Sequence, residues 1–162
     1  MYKTEKQTFL TFLLEQEFFA VNVKKVLEVL EKQHITRVPR TPDHILGILN
    51  FRGDILPVVN TRLKFHLPSL HSEEKNYIIV FDISNDTGKF IIAATADAVK
   101  DVIEIADDEI MPVPEMGIGY NVKYISGAIR RNNIFILLLD MEKVFSLSDA
   151  ESINLVEMEA IN

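Results

Sequence analysis

Two stretches of this chain repeat one another in the same order. Phe18–Glu31, FFAVNVKKVLEVLE, aligns without a gap on Ile91–Glu104, IIAATADAVKDVIE, at an offset of 73 (91 less 18). Gly47–Phe65 aligns on Gly127–Phe145 at an offset of 80 (127 less 47). Apolar residues coincide at Phe18/Ile91, Val26/Val99, Val29/Val102 and Leu30/Ile103, and again at Leu49/Ile129, Leu56/Ile136, Val58/Leu138 and Phe65/Phe145. Any two strands share alternating hydrophobicity, so neither block alone establishes a repeat. Two blocks in one order, each later block opened by a matched glycine, point to a duplicated supersecondary unit. The second copy carries seven extra residues (80 less 73), placed most simply around Glu115–Val122.

The repeated unit reads as β. Apolar runs of strand length lie at Thr8–Leu14, Phe18–Val23, Ile55–Val59, Tyr77–Ile83, Phe90–Ala94 and Ile134–Leu139, rich in β-branched and aromatic residues. Turn signals separate them at Glu15–Glu17, Arg52–Asp54, Asn85–Gly88 and Arg131–Asn133. Helix is expected only in pieces. Val23, Val26, Leu27 and Leu30 have helical spacing, which predicts a turn or two near Lys24–Leu30. Thr41-Pro42-Asp43 reads as a capped, proline-led turn through Leu46, and Ser148-x-x-Glu151 as a capping box opening a helix over Asp149–Ala160. Pro68–Asn76 reads as a loop.

The expected fold is therefore mainly all-β: two small barrels of about five strands around one shared core. Short helices and a C-terminal helix complete it. A single domain over 8–147 is expected, its copies about 8–71 and 76–147, side by side or intertwined, with 148–162 as helix and tail. The initiating Met and the capped C-terminal helix favour a complete chain.

Several classes of function are excluded by what the chain lacks. Its 162 residues carry 17 Lys+Arg against 24 Asp+Glu, a net −7, with no clustered basic stripe to match nucleic acid or anionic lipid. No apolar run approaches the ~20 residues that span a bilayer, and MYKTEKQ does not begin a signal peptide. A cytoplasmic location is expected. Zero cysteines exclude disulfides, thiolate metal sites and cysteine nucleophiles. No P-loop, dinucleotide fingerprint, zinc-protease helix or serine elbow occurs. His34, His44, His66 and His71 never fall at i, i+4, so surface histidines are the better reading than metal ligands. Asp82–Asp86 resembles the start of a calcium loop but lacks its glycine, and a hairpin explains it better. Asp107-Asp108-Glu109 reads as a solvated turn. Nothing argues for an enzyme, a metal or a cofactor.

The segment Ile35–Phe65, ITRVPRTPDHILGILNFRGDILPVVNTRLKF, resembles the signature of the CheW-like family, the adaptors of bacterial chemotaxis and the matching regulatory domain of the kinase CheA. The shared positions are Val38-Pro39, Pro42, Gly47, Asn50-Phe51-Arg52-Gly53, Pro57 and Arg62. The likeness continues through Phe18–Leu30, Val99–Glu115 and Tyr124–Phe145, covering essentially 8–147. Asn60 stands where the family usually has Asp.

The resemblance implies two five-stranded Src-homology-3-like barrels and a non-enzymatic role without cofactor. That role is to link the histidine kinase CheA, through its regulatory domain, to the cytoplasmic tips of methyl-accepting chemotaxis receptors. It implies receptor contacts at Val23, Val26, Glu28 and Arg52, and kinase contacts at Tyr77 and Val102. An apolar groove framed by one or two charges suits a receptor helix pair. Arg52 could reach a receptor carboxylate or tie its own hairpin to backbone carbonyls, and Val23 and Val26 fit either groove or core. Alternatives on the same fold are the regulatory domain of a kinase, half of a longer coupling protein, or an adaptor of a pathway other than chemotaxis. A small enzyme or ligand-binding barrel would need a polar constellation that the sequence does not offer.

Overall fold

The computed structural model describes residues 5–31, 33–65, 67, 77–113 and 122–151. Ten strands form two curled sheets. They are β1 (Lys6–Leu14), β2 (Glu17–Asn22), β3 (Val26–Glu31), β4 (Ile45–Phe51), β5 (Asp54–Val59), β6 (Tyr77–Asn85), β7 (Gly88–Ala96), β8 (Ala98–Ala106), β9 (Ile125–Arg131) and β10 (Ile134–Leu139). Helical turns α1 (Thr61–Lys64) and α2 (Met141–Val144) follow β5 and β10. One sheet has the order β8-β1-β2-β10-β9 and the other β3-β6-β7-β5-β4.

Replacing each strand by its partner in the repeat (β1 by β6, β2 by β7, and so on to β5 by β10) turns one order into the other. The sheets nevertheless do not follow the two copies. The first sheet takes β1 and β2 from the first copy and β8–β10 from the second, while the other sheet takes β3–β5 and β6–β7. Each sheet is thus built from strands of both copies. Parallel ladders join them at matched positions: Leu138 pairs with Ala20, and Val58 with Ala93.

Three apolar clusters fill the molecule. One surrounds Leu49, Leu56, Val58 and Ile78 inside the second sheet, and its counterpart gathers Phe9, Ile129, Ile136 and Leu138 inside the first. Between them lies a larger shared core that includes Phe12, Phe19, Phe65, Phe81 and Phe145. The aromatic rings there approach at 5.7 to 6.0 Å between centroids, the spacing at which such pairs add to simple burial.

The matched glycines have a steric reason. A Cβ on Gly47 would lie 2.3 Å from the Thr36 carbonyl oxygen, and one on Gly127 would lie 2.6 Å from Ile110 Cγ2. At these places an incoming segment bridges to the sheet edge, Thr36 to Ile48 and Met111 to Ala128. Only a residue without a side chain lets the two backbones meet so closely. Asn60 also explains itself: its side chain accepts from the Leu63 amide at the start of α1, as Asp140 accepts from Glu142 before α2. Asn and Asp cap about equally well, so the departure from the family pattern costs little.

Three helical expectations are corrected. The segment Lys24–Leu30 is a single 3₁₀ turn, Val23–Lys25, followed by strand β3. There the residues alternate in exposure and pair with β6, so period 2 overrode the helical spacing. Thr41 does not cap a helix. Its hydroxyl donates to the Val38 carbonyl, and the Ile45 amide closes a turn onto the Pro42 carbonyl as β4 begins. The C-terminal helix begins at residue 147, capped by Ser146: Asp149 N–H donates to Ser146 Oγ and Ser146 N–H to Asp149 Oδ2. The rest of the expected Asp149–Ala160 helix lies outside the described residues, as do the expected loop over Pro68–Asn76 and almost all of the Glu115–Val122 stretch. Asp82–Asp86 belongs to the β6–β7 hairpin, where Asn85 Oδ1 accepts from Thr87.

Candidate functional site

The β4–β5 hairpin turns through Arg52 (φ 52°) and Gly53 (φ 88°). Positive φ at both central residues matches the twist of the flanking strands, and Gly, Asn and Asp occupy such turns cheaply. Arg does not. The equivalent turn between β9 and β10 uses Asn132 and Asn133, at φ 51° and 62°. An arginine held in a left-handed conformation that the other copy gives to asparagine is a local strain of about 1 kcal/mol.

The guanidinium of Arg52 sits 4.8 Å from the centre of the Phe51 ring and donates to Glu28 Oε2 at 3.1 Å, while 69% of the side chain stays exposed. Strands β3 and β4 are the two outer strands of their sheet, so this pair spans the seam where the sheet curls toward closure. Of the two roles open to Arg52, the seam contact is to a side chain and leaves most of the Arg52 side chain exposed.

The seam of the other sheet is closed from β9. Arg131 donates to the Glu104 carbonyl and pairs with Glu109 at 3.1 Å. Its hydrogen bonds hold the Glu109 carboxyl below the ordinary carboxylate range. Asp107 and Asp108 are exposed in the 3₁₀ turn before it.

The structure thus brings Glu28 and Arg52 together. Val23 and Val26 flank the same crossover turn, half-buried and packed against the shared core. The outward face of β3 adds Leu27 and Val29, exposed large apolar residues that the sequence reading missed. The alternation that exposes them is in burial and not in residue type, since VLEVLE repeats apolar-apolar-polar, so the sequence carries no period-2 signal for them. Tyr77 and Val102 are not side by side in one sheet. Tyr77 opens β6, pairs with Glu31 and packs against the shared core, whereas Val102 lies on outer strand β8 with 62% exposure. Val29 and Val102 are matched positions of the repeat, and both are exposed.

Among the described residues no group of three His, Asp or Glu side chains could hold a metal ion, and no helix is long and apolar enough to cross a membrane. His34 is exposed, while His44 is half-buried and hydrogen-bonded to Asp149 at 2.7 Å; His66 and His71 lie outside the described residues. What the arrangement offers is surface: Leu27 and Val29 exposed on the outward face of β3, and an exposed cation, Arg52, paired with Glu28 of the same strand.

The CheW-like domain family matches residues 8–149. The chain belongs to that family. It is 31% identical over 144 residues to the chemotaxis protein CheW of Klebsiella aerogenes, covering 89% of this chain and 84% of that one. It is 30% identical over 138 residues to CheW of Helicobacter pylori, covering 84% and 79%. The crystal structure of the scaffolding protein TtCheW from Thermoanaerobacter tengcongensis superimposes with a TM-score of 0.78 over 94% of this chain and 96% of that one, at 24% identity. That likeness establishes the paired-barrel fold.

Proposed function

We propose that this protein is a non-enzymatic adaptor that couples the regulatory domain of the chemotaxis kinase CheA to the cytoplasmic tips of methyl-accepting receptors. In this reading Val23, Val26, Glu28 and Arg52, with Leu27 and Val29, form the receptor face, and Val102 with Tyr77 belongs to the kinase face. The observation that carries it is Arg52. Backbone strain that the other copy avoids with Asn132 is retained at an exposed cation paired with Glu28 of β3. A group that only closed the seam would not need two-thirds of its side chain in water. Guanidinium is also the side chain best suited to a bidentate grip on a receptor carboxylate.

The test is Arg52→Asn, which installs the residue of the equivalent turn, compared with Val102→Glu. Arg52→Asn should leave stability unchanged or raise it by up to about 1 kcal/mol. It should weaken co-sedimentation with receptor-tip fragments by about tenfold, the worth of one charged hydrogen bond, with kinase binding intact. Val102→Glu should do the reverse. An Arg52→Asn protein that joins receptor fragments with wild-type affinity removes the receptor assignment. A wild type that binds neither partner removes the adaptor reading.

A further inference from the structure

The turn that leads into the receptor-facing strand is only partly buried, with Val23 packed on the edge of the shared core. None of its residues, Val23–Lys25, is buried. Within its own segment it is held by the Asn22 side chain, which accepts from the Lys24 amide at 2.9 Å and donates to Gln7 at 2.8 Å. Beside it opens a cleft of about 290 Å³ with Phe9, Ile110 and Leu138 among its walls and Lys25 and Glu142 at its rim. The connection across that cleft is the ion pair of Lys25 with Glu142 on α2.

Glu142 is itself well placed to hold something. Met141 and Val144 anchor α2 in the core, Asp140 caps it, and Asn85 Nδ2 donates to the Glu142 and Phe145 carbonyls at 2.7 and 3.0 Å. The other half of the molecule repeats the device with its charges reversed. Arg62, the position matched to Glu142, pairs at 2.7 Å with Asp97, within one residue of the position matched to Lys25, at the β7–β8 crossover. A link that survives duplication while its polarity inverts is kept for the connection it makes.

We propose that the Lys25–Glu142 pair is a clamp that presets the β2–β3 crossover, so that Val23, Val26 and Glu28 meet the receptor already in position. Both residues are positioning residues, and the proposal rests on the receptor reading given above. Preorganisation of this kind raises affinity by removing the ordering cost at binding.

The test uses the full-length chain with Lys25→Glu, Glu142→Lys and the double exchange of both. Each single variant places like charges across the cleft. Each should speed amide exchange at Lys24 and Val26 and weaken binding of receptor-tip fragments by about threefold. The double exchange should bring both quantities back to within about twofold of wild type. Folded single variants that exchange like wild type, or a double exchange that fails to restore protection, overturn the clamp. Altered exchange with unaltered receptor affinity overturns its role in presetting the face. If the wild type binds no receptor fragment, the receptor reading has failed instead, and amide exchange in the swapped protein still decides whether the clamp exists.

Discussion

The two crossovers, β2 to β3 and β7 to β8, occupy matched places in the repeat and carry the chain between the sheets in opposite directions. They are tied down very differently. At the β7–β8 corner, Arg62 is only 15% exposed and lies between two carboxylates, 3.1 Å from Glu15 and 2.7 Å from Asp97. Asp97 also accepts from the Glu15 amide at 2.6 Å, which binds the β1–β2 turn into the same knot. At the β2–β3 corner one lysine meets one glutamate, each about one-third exposed, over an open cleft. One duplicated unit has therefore diverged into a corner fixed by a desolvated network and a corner fixed by a single solvated pair. The lightly held corner bears the proposed receptor face, and the hairpin beside it keeps a strained arginine where its twin has asparagine.

The largest effect that would test this contrast is on the tight corner. Arg62→Ala leaves two half-buried carboxylates facing each other without their cation. Uncompensated charges of this kind cost about 3 kcal/mol, whereas Lys25→Ala, at a solvated pair, should cost less than about 1 kcal/mol. Urea denaturation of the two variants measures the difference directly. Equal losses would mean that the corners are energetically alike and that the divergence is one of charge only.

The two glycines sharpen the same comparison through sterics. A Cβ on Gly47 meets backbone, the Thr36 carbonyl oxygen and carbon at 2.3 and 2.9 Å, and backbone cannot swing away. A Cβ on Gly127 meets chiefly the tip of Ile110, with the Met111 carbonyl oxygen at 3.2 Å. Gly47→Ala should cost about 2–3 kcal/mol and Gly127→Ala about 1 kcal/mol, the range for overpacking a site that cannot or can relax. Thermal melting of the two variants checks the order. The reverse order would show that the seam near Ile110 is the stiffer one.

Much of this was legible in the sequence, for reasons that differ by element. Strands with a buried face, such as β10 and β6, announced themselves through runs of β-branched and aromatic residues. The outer strands β3, β4, β8 and β9 did not. In β3 and β8 about half of the residues are exposed and charged residues interrupt the apolar ones, so in β3 the apolar positions also fit a helical stripe. The duplication was readable, but the exchange of strands between copies was not. Pairing β2 with β10 or with β5 uses the same alternation of apolar side chains. At the site, Arg52 was legible by likeness to the family, whereas its partner Glu28 and its strain are properties of the fold. The cleft beside Lys25 has no sequence signal at all, because it is made by residues from Gln7 to Glu142.

A further prediction concerns the helix over residues 147–151. It is fastened to the second sheet by Asp149, a buried carboxylate 2.7 Å from His44 Nε2 and 3.4 Å from Lys64 Nζ. In the other copy the place of His44 is taken by Tyr124, whose ring packs edge-on against Phe65. Burial alone pushes the Asp149 carboxyl up, but the hydrogen bond from His44, the charge of Lys64 and the Ser146 amide together hold it below the ordinary range. A carboxyl depressed in the folded chain stabilises above its unfolded value, near pH 4, and loses that contribution as pH falls through its folded value. Asp149→Asn should therefore cost about 1.5 kcal/mol at pH 7 and pH 5, and the gap from wild type should narrow below about pH 4. Urea midpoints at pH 7, 5 and 3 measure it. A gap of constant size at all three would mean that the helix is held by shape rather than by charge, in contrast to the crossovers with their ion pairs.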